Sequence, residues 1–194
     1  MDILLDTNAY LRLAKQFHPL LGDNFLIPPN FLRVLSEVDR ELSASQRLET
    51  KFFWAAEKEY SENRSQNTVV LVGRQATDVF NAKSVVQGVS KGFRDSGEYK
   101  RQRLTAPSPT DCLVLAYAYV LGITIIADDG GMNFLAKELG ITLLGSHQLL
   151  KIMLEAGKVT LENIQTAARY LNYINDMPAS WAKDSQSLFG TTLP

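Results

Sequence analysis

The stretch Ile123–Ala127, Met132–Leu139 and Ile141–Leu144 constrains this chain more than any other. Two short apolar runs flank a helix-length segment, and Gly122 and Gly140 punctuate the joins. A strand, a helix and a strand in that order form a right-handed parallel crossover. The fold class is therefore α/β. The remaining segments predict a three-layer α/β/α sandwich around a central, mostly parallel sheet of 4–5 strands.

Ile3-Leu4-Leu5 reads as a short buried strand, followed by a helix through Tyr10–Lys15. Phe25-Leu26-Ile27 reads as a second strand, because Pro28 and Pro29 forbid continuing the ladder. A helix is then expected over 30–42, where Phe31, Leu32, Leu35, Val38 and Leu42 recur at spacings of three and four. A further helix is expected from Ser45 to Glu62. Val69–Val72 fits a strand or a buried helical turn. The absence of a breaker before Gly88 favours helix.

Gly92, Gly97, Pro107 and Pro109 mark a loosely held segment. Cys112–Leu121 is almost wholly apolar, a helix buried on most sides. Helices are expected at Gln148–Ala156 and, capped by Thr160, at Leu161–Asn175. Residues 147–177 thus form a helical pair packed on a main domain of residues 1–146, and residues 178–194, without periodicity, are expected to be irregular.

Four carboxylates sit where strands end or helices begin. Asp6 follows the first strand, Asp111 opens the apolar helix, and Asp128–Asp129 closes the strand at Ile123–Ala127. In a parallel sheet these junctions share one edge, the edge where ligands bind. Clustered carboxylates repel unless a cation sits among them, and all-oxygen donors suit Mg²⁺ or Mn²⁺. The expectation is a divalent-metal site for phosphate chemistry. Each acid also has a plain structural role open to it. Asp6 is placed to cap a helix, Ser108 and Asp111 form a capping box, and one of Asp128 and Asp129 suits a cap. Glu37 is a weaker fourth member. It is expected about eight residues, on the order of 12 Å, into its helix, and its neighbours Asp39 and Glu41 read as a solvated face.

Other chemistries lack their residues. His18 and His147 fall in no site pattern and read as incidental surface histidines. There is no glycine-rich nucleotide loop or CxxC pair, and the one GxSxG string, Gly88–Gly92, follows a segment read as helix rather than strand and so makes no nucleophile elbow. Cys112, the single cysteine, reads as a buried, inert thiol. Net charge is −1, so nucleic-acid binding would need a local basic patch. One candidate lies between Arg74 and Arg103, where seven Lys or Arg face three acids, a run that reads equally as an ordinary solvated face. Lys100, Arg101 and Arg103 suit phosphates, with Tyr99 placed to stack a base. The N-terminus does not read as a signal peptide, and no run of about 18 apolar residues suggests a membrane span. The expectation is a soluble, cytoplasmic protein.

Leu4-Leu5-Asp6-Thr7-Asn8, Val34-Leu35-Ser36-Glu37, Pro109-Thr110-Asp111 and Ile126-Ala127-Asp128-Asp129 together resemble the PIN-domain nucleases, in order and context, over residues 1 to about 145. The resemblance implies a metal-dependent ribonuclease with Asp6, Glu37, Asp111 and Asp129 as its acids and Thr7 and Asn8 in support. It leaves open whether Asp128 or Asp129 is the ligand, with Asp129 the better match to the following helix. Ala127 stands where the family usually has threonine. Many small bacterial members are VapC-type toxins, so the resemblance also implies an RNA substrate and a cognate antitoxin, with a homodimer as a further option. The docking surface would be the groove between the helices at 30–42 and 45–62, where Phe31, Phe52, Phe53 and Trp54 cluster, unless these aromatics are simply core. The alternative is a catalytically degenerate module of the same fold serving as a protein or nucleic-acid scaffold. Receiver-like and haloacid-dehalogenase-like readings fit less well, because the acidic pair comes late and Asn8 stands where a second aspartate is wanted.

Overall fold

Successive side chains of β1 (Asp2–Leu5) point to opposite faces, and both faces are buried: Ile3 and Leu5 join one apolar cluster, Leu4 the other. A strand buried on both sides must be covered by helices twice, which makes the protein a three-layer sandwich. The computed structural model describes residues 2–22, 24–25 and 30–193.

The sheet has five strands in the order β2 (Asn24–Phe25), β3 (Asn30–Arg33), β1, β4 (Thr124–Ile126), β5 (Leu143–Leu144). β3, β1, β4 and β5 are parallel, and β2 runs antiparallel at the edge. The Ile3 cluster is covered by α1 (Thr7–Ala14), α9 (Ser146–Glu155) and α10 (Leu161–Tyr173). The Leu4 cluster is covered by α5 (Gln75–Asp95), α7 (Pro109–Leu121) and α8 (Gly130–Glu138). The crossover expected at 123–144 is formed by β4, α8 and β5, with β4 and β5 parallel. No helix among the described residues is long and apolar enough to cross a membrane.

Four sequence expectations change. The helix expected over 30–42 is a strand followed by a shorter helix. Asn30–Arg33 pairs with β1, and α2 (Glu37–Ala44) begins only after an extended Val34-Leu35. The spacing of Leu32, Leu35 and Val38 satisfies a helix, whereas the alternating burial of Leu32 and Val34 is that of a strand, and the ladder to β1 decides between them. Val69–Val72 is not helical. Thr68 bridges Val34 in parallel and the Val69 amide donates to the Val34 carbonyl, so α5 starts only at Gln75.

The helix expected over 45–62 is broken into α3 (Gln46–Lys51), a 3₁₀ turn (Phe53–Ala56) and α4 (Lys58–Gln66). The break turns Phe52 and Trp54 inward and leaves Phe53 65% exposed, so most of the expected aromatic docking surface is core. The tail contains α11 (Ala179–Phe189), entered at Pro178 and ended by Gly190 at φ 70°. Trp181 anchors α11, fully buried and donating its indole N–H to the Ser146 hydroxyl at 2.7 Å. Leu26 and Ile27 of the expected second strand lie outside the described residues.

The candidate acidic site

Strands β1 and β4 lie side by side and parallel, so the residues that follow them emerge together. The Asp6 amide continues the ladder, donating to the Ile126 carbonyl at 3.0 Å, and its side chain then caps α1 by accepting from the Ala9 amide at 2.6 Å. Asp6 is 4% exposed. Burial pushes its carboxyl up to about 8, and the nearby Asp128 and Asp111 add to the rise; the Ala9 amide and Arg12 oppose it.

Asp111 makes the expected capping box: its carboxylate accepts from the Ser108 amide at 2.8 Å, and its amide donates to the Ser108 hydroxyl at 3.1 Å. Its carboxyl is also raised, first by burial and then by Asp129 and Glu41. Asp129 caps α8, accepting from the Met132 amide at 2.7 Å. All three acids therefore perform the structural role open to them, and the Asp6 and Asp111 carboxyls are each raised in part by neighbouring acids.

Asp6 and Asp111 line one cleft of about 380 Å³, shared with Thr7, Asn8, Thr110, Glu41 and Arg47. Glu37 is not among the lining residues. It opens α2, where its carboxylate accepts from Arg40 at 3.0 Å and Ser36 at 3.3 Å, and its charge is felt at Tyr117, further along α7 than Asp111. Glu41, one helical turn on, takes the place by the cleft that sequence reasoning gave to Glu37. The available signal was the i, i+4 spacing of the two glutamates, which puts them on one helix face. It was masked by the misplaced helix start.

Asp128 has a different setting. Its side chain is 2% exposed and accepts from Arg12 at 2.9 Å, from the Ser146 amide at 2.9 Å and from the Ser146 hydroxyl at 2.7 Å. Arg12 also donates to Asp176 at 2.9 Å, and Lys51 reaches the other oxygen of Asp176 at 2.7 Å. This network ties α1, α3, α9 and the connection after α10 together beneath the cleft. Among the described residues, no group of three His, Cys, Asp or Glu side chains stands close enough to hold one metal ion.

The basic segment lies near the β4–α8 turn. A methyl group on Gly131 would come within 1.9 Å of the Thr105 carbonyl oxygen, and one on Gly130 within 2.8 Å of the Leu104 side chain. The two glycines thus let the chain after Arg103 cross the start of α8. Lys100, Arg101 and Arg103 are exposed, with Arg101 paired to Glu98 in the short helix α6 (Glu98–Arg101). Tyr99 cannot stack a base. It is 4% exposed, its hydroxyl is 3.2 Å from Ser90, and its ring packs on Phe93 and Phe134. His147 is also not the surface histidine expected, being 5% exposed and 3.2 Å from Asp184 through Nε2.

No protein-family model matches the chain, and no curated protein matches it. Among solved structures, FitAcB from Neisseria gonorrhoeae is similar at 12% identity and a TM-score of 0.47, over 74% of this chain and 97% of that one. A likeness that distant carries no functional inference.

Proposed function

We propose that this protein is a divalent-metal-dependent endoribonuclease. The observation that carries the reading is the meeting of Asp6 and Asp111, from a strand end and a helix start far apart in sequence, in one cleft with Glu41. The electrostatics fit a cation: Asp6 is held up to about 8 and Asp111 is raised, each in part by other acids. A metal ion is what lets such buried carboxylates ionise together. Asp6 and Asp111, which share the cleft, would bind Mg²⁺ or Mn²⁺, with Asp129 within charge reach of Asp111 and Glu41 on the cleft wall in preference to Glu37. Asp128, already engaged by Arg12 and Ser146, serves as support.

When bound, such an ion neutralises phosphoryl charge and acidifies a water. The chain's own residues position and bind. Asn8 and Thr110, on the cleft wall, orient the phosphodiester, and Glu41 accepts a hydrogen bond from the attacking water. Lys100 and Arg103 hold flanking RNA phosphates as exposed cations. A nuclease of this kind harms its host unless held in check, so the reading includes a cognate antitoxin, with exposed Phe53 the aromatic anchor left to dock it. A homodimer is compatible with it.

Cleavage of a single-stranded RNA in Mg²⁺ or Mn²⁺, absent in EDTA and lost in Asp6→Asn and in Asp111→Asn, is the expected result. Wild-type rates in either variant at matched metal would refute the mechanism. One observation favours the scaffold reading instead: Asp6, Asp111 and Asp129 are all occupied as helix caps and do not close around a single ion. RNA binding without cleavage in any divalent metal would decide for that reading.

A further inference from the structure

A second cavity, of about 330 Å³, is lined by Asp128 and Asp129 at the end of β4. Asp129 lines it and is also among the charges that raise the Asp111 carboxyl. Its walls come from the β4–α8 turn, the start of α9 and the C-terminal helix α11. The volume lies at the small end of ligand pockets, about 300–1,000 Å³, so it suits one nucleoside-sized group.

The uncommitted atoms in these walls are mostly acceptors. One Asp129 oxygen is used by the Met132 amide, and the other accepts no hydrogen bond among the described residues. One Asp184 oxygen faces His147 Nε2 at 3.2 Å, and the Asp184 side chain is 41% exposed. Facing a carboxylate, Nε2 carries the proton, which leaves Nδ1 as a bare acceptor. Nδ1 is the one buried side-chain nitrogen or oxygen among the described residues without a hydrogen-bond partner, and it sits against Gly145, where a methyl group would come within 2.7 Å. It is buried against that backbone rather than open to the cavity, so the acceptors the wall presents are the two carboxylates. Gln148 spends its carbonyl on the Gly145 amide at 2.7 Å, so its amide N–H₂ is the wall's contrasting donor, and Asn133 makes no side-chain hydrogen bond among the described residues.

We infer that this cavity is a nucleobase subsite for a base whose edge presents adjacent N–H donors, guanine foremost. Guanine offers N1–H and N2–H₂ side by side to a carboxylate, with O6 left for an amide such as that of Gln148. Adenine and cytosine offer one amino group each, and uracil a single N–H between two carbonyls. Phosphate is excluded from this wall by like charge. The inference rests on the nuclease reading for its place in catalysis: the cavity-lining Asp129 is close enough for its charge to act on Asp111, so a base beside a phosphodiester held at Asp111 is the group the cavity would take.

The test is titration of the full-length protein, in EDTA, with GMP, AMP, CMP, UMP and inorganic phosphate, followed by NMR shifts of Asn133, His147 and Gln148. GMP should bind at least tenfold tighter than UMP, and inorganic phosphate should not compete. Asp184→Asn, which turns an acceptor into a donor at a half-exposed position, should weaken GMP at least fivefold with an unchanged melting temperature. Gln148→Ala should narrow the GMP preference, and Asp6→Asn should leave GMP binding intact. Equal GMP and UMP affinities, full competition by phosphate, or GMP binding untouched by Asp184→Asn would overturn the subsite. The two readings fail separately. GMP binding without RNA cleavage removes the nuclease and keeps the subsite, whereas cleavage without GMP preference does the reverse.

Discussion

Replacing Asp6 by Asn should stabilise the metal-free protein, although Asp6 is buried and hydrogen-bonded. The folded state holds the Asp6 proton up to about pH 8, whereas an ordinary aspartate loses it near 3.8. Between those values the folded chain binds more protons than the unfolded one, so stability is fully present below pH 4 and is lost as pH rises towards 8. At pH 7 the gap from 3.8 is about three pH units, and at 1.36 kcal/mol each the cost is about 4 kcal/mol. Asn carries no charge to neutralise and caps a helix about as well as Asp, so the bond from the Ala9 amide survives. Asp6→Asn should therefore gain up to about 4 kcal/mol at pH 7, a rise in melting temperature on the order of 10 °C for a domain of this size. Asp6→Ala forfeits the cap, worth about 1 kcal/mol, and should gain less.

The assay is urea unfolding in EDTA at pH 5, 7 and 8, repeated with Mn²⁺. Wild type should weaken from pH 5 to 8 more steeply than Asp6→Asn. It should regain stability with Mn²⁺, where Asp6→Asn should not. Parallel pH profiles for the two proteins, or an Asp6→Asn protein less stable than wild type at pH 7, would refute the reasoning.

Three further outcomes are expected. Arg12→Met should destabilise by about 3–5 kcal/mol, because it leaves Asp128 buried and uncompensated, and urea unfolding reads this directly. Trp181→Ala should cost about 3–5 kcal/mol in the same assay, since the indole is fully buried; a cost below 1 kcal/mol would restore the irregular tail. Glu41→Gln should lower the cleavage rate by about 10²-fold or more, whereas Glu37→Gln should leave it within a few-fold, and equal losses would return Glu37 to the site.

The fold was legible wherever a segment's pattern admitted one partner. The 123–144 crossover is two short apolar strands with glycine at the joins, and it forms as expected because no other pairing buries both strand faces. The acids were legible for a related reason: a carboxylate at a strand end has its edge set by the sheet's direction, whatever the rest of the chain does. Residues 30–42 and 178–194 were not legible. Leu32, Leu35 and Val38 satisfy a 3.6-residue stripe, and only hydrogen bonding to β1 made Asn30–Arg33 a strand. Trp181, Phe189 and Leu193 are too widely spaced in the tail to show a stripe, and they join the core only once α11 docks with the Trp181 indole on Ser146.

The sequence by itself determined a parallel α/β sandwich with aspartates delivered to one edge, because strand alternation, glycine stops and helix caps are local properties. Which of those aspartates face a common cleft was decided by tertiary structure alone. Asp128 and Asp129 are adjacent in the chain, yet Arg12 and Ser146 claim the first while the second caps α8. Glu41 rather than Glu37 lines the cleft, because α2 begins only at Glu37. The physical reason is the same in both cases: a side chain's role depends on the charges and donors that packing brings to it from elsewhere in the chain, and no local pattern encodes those.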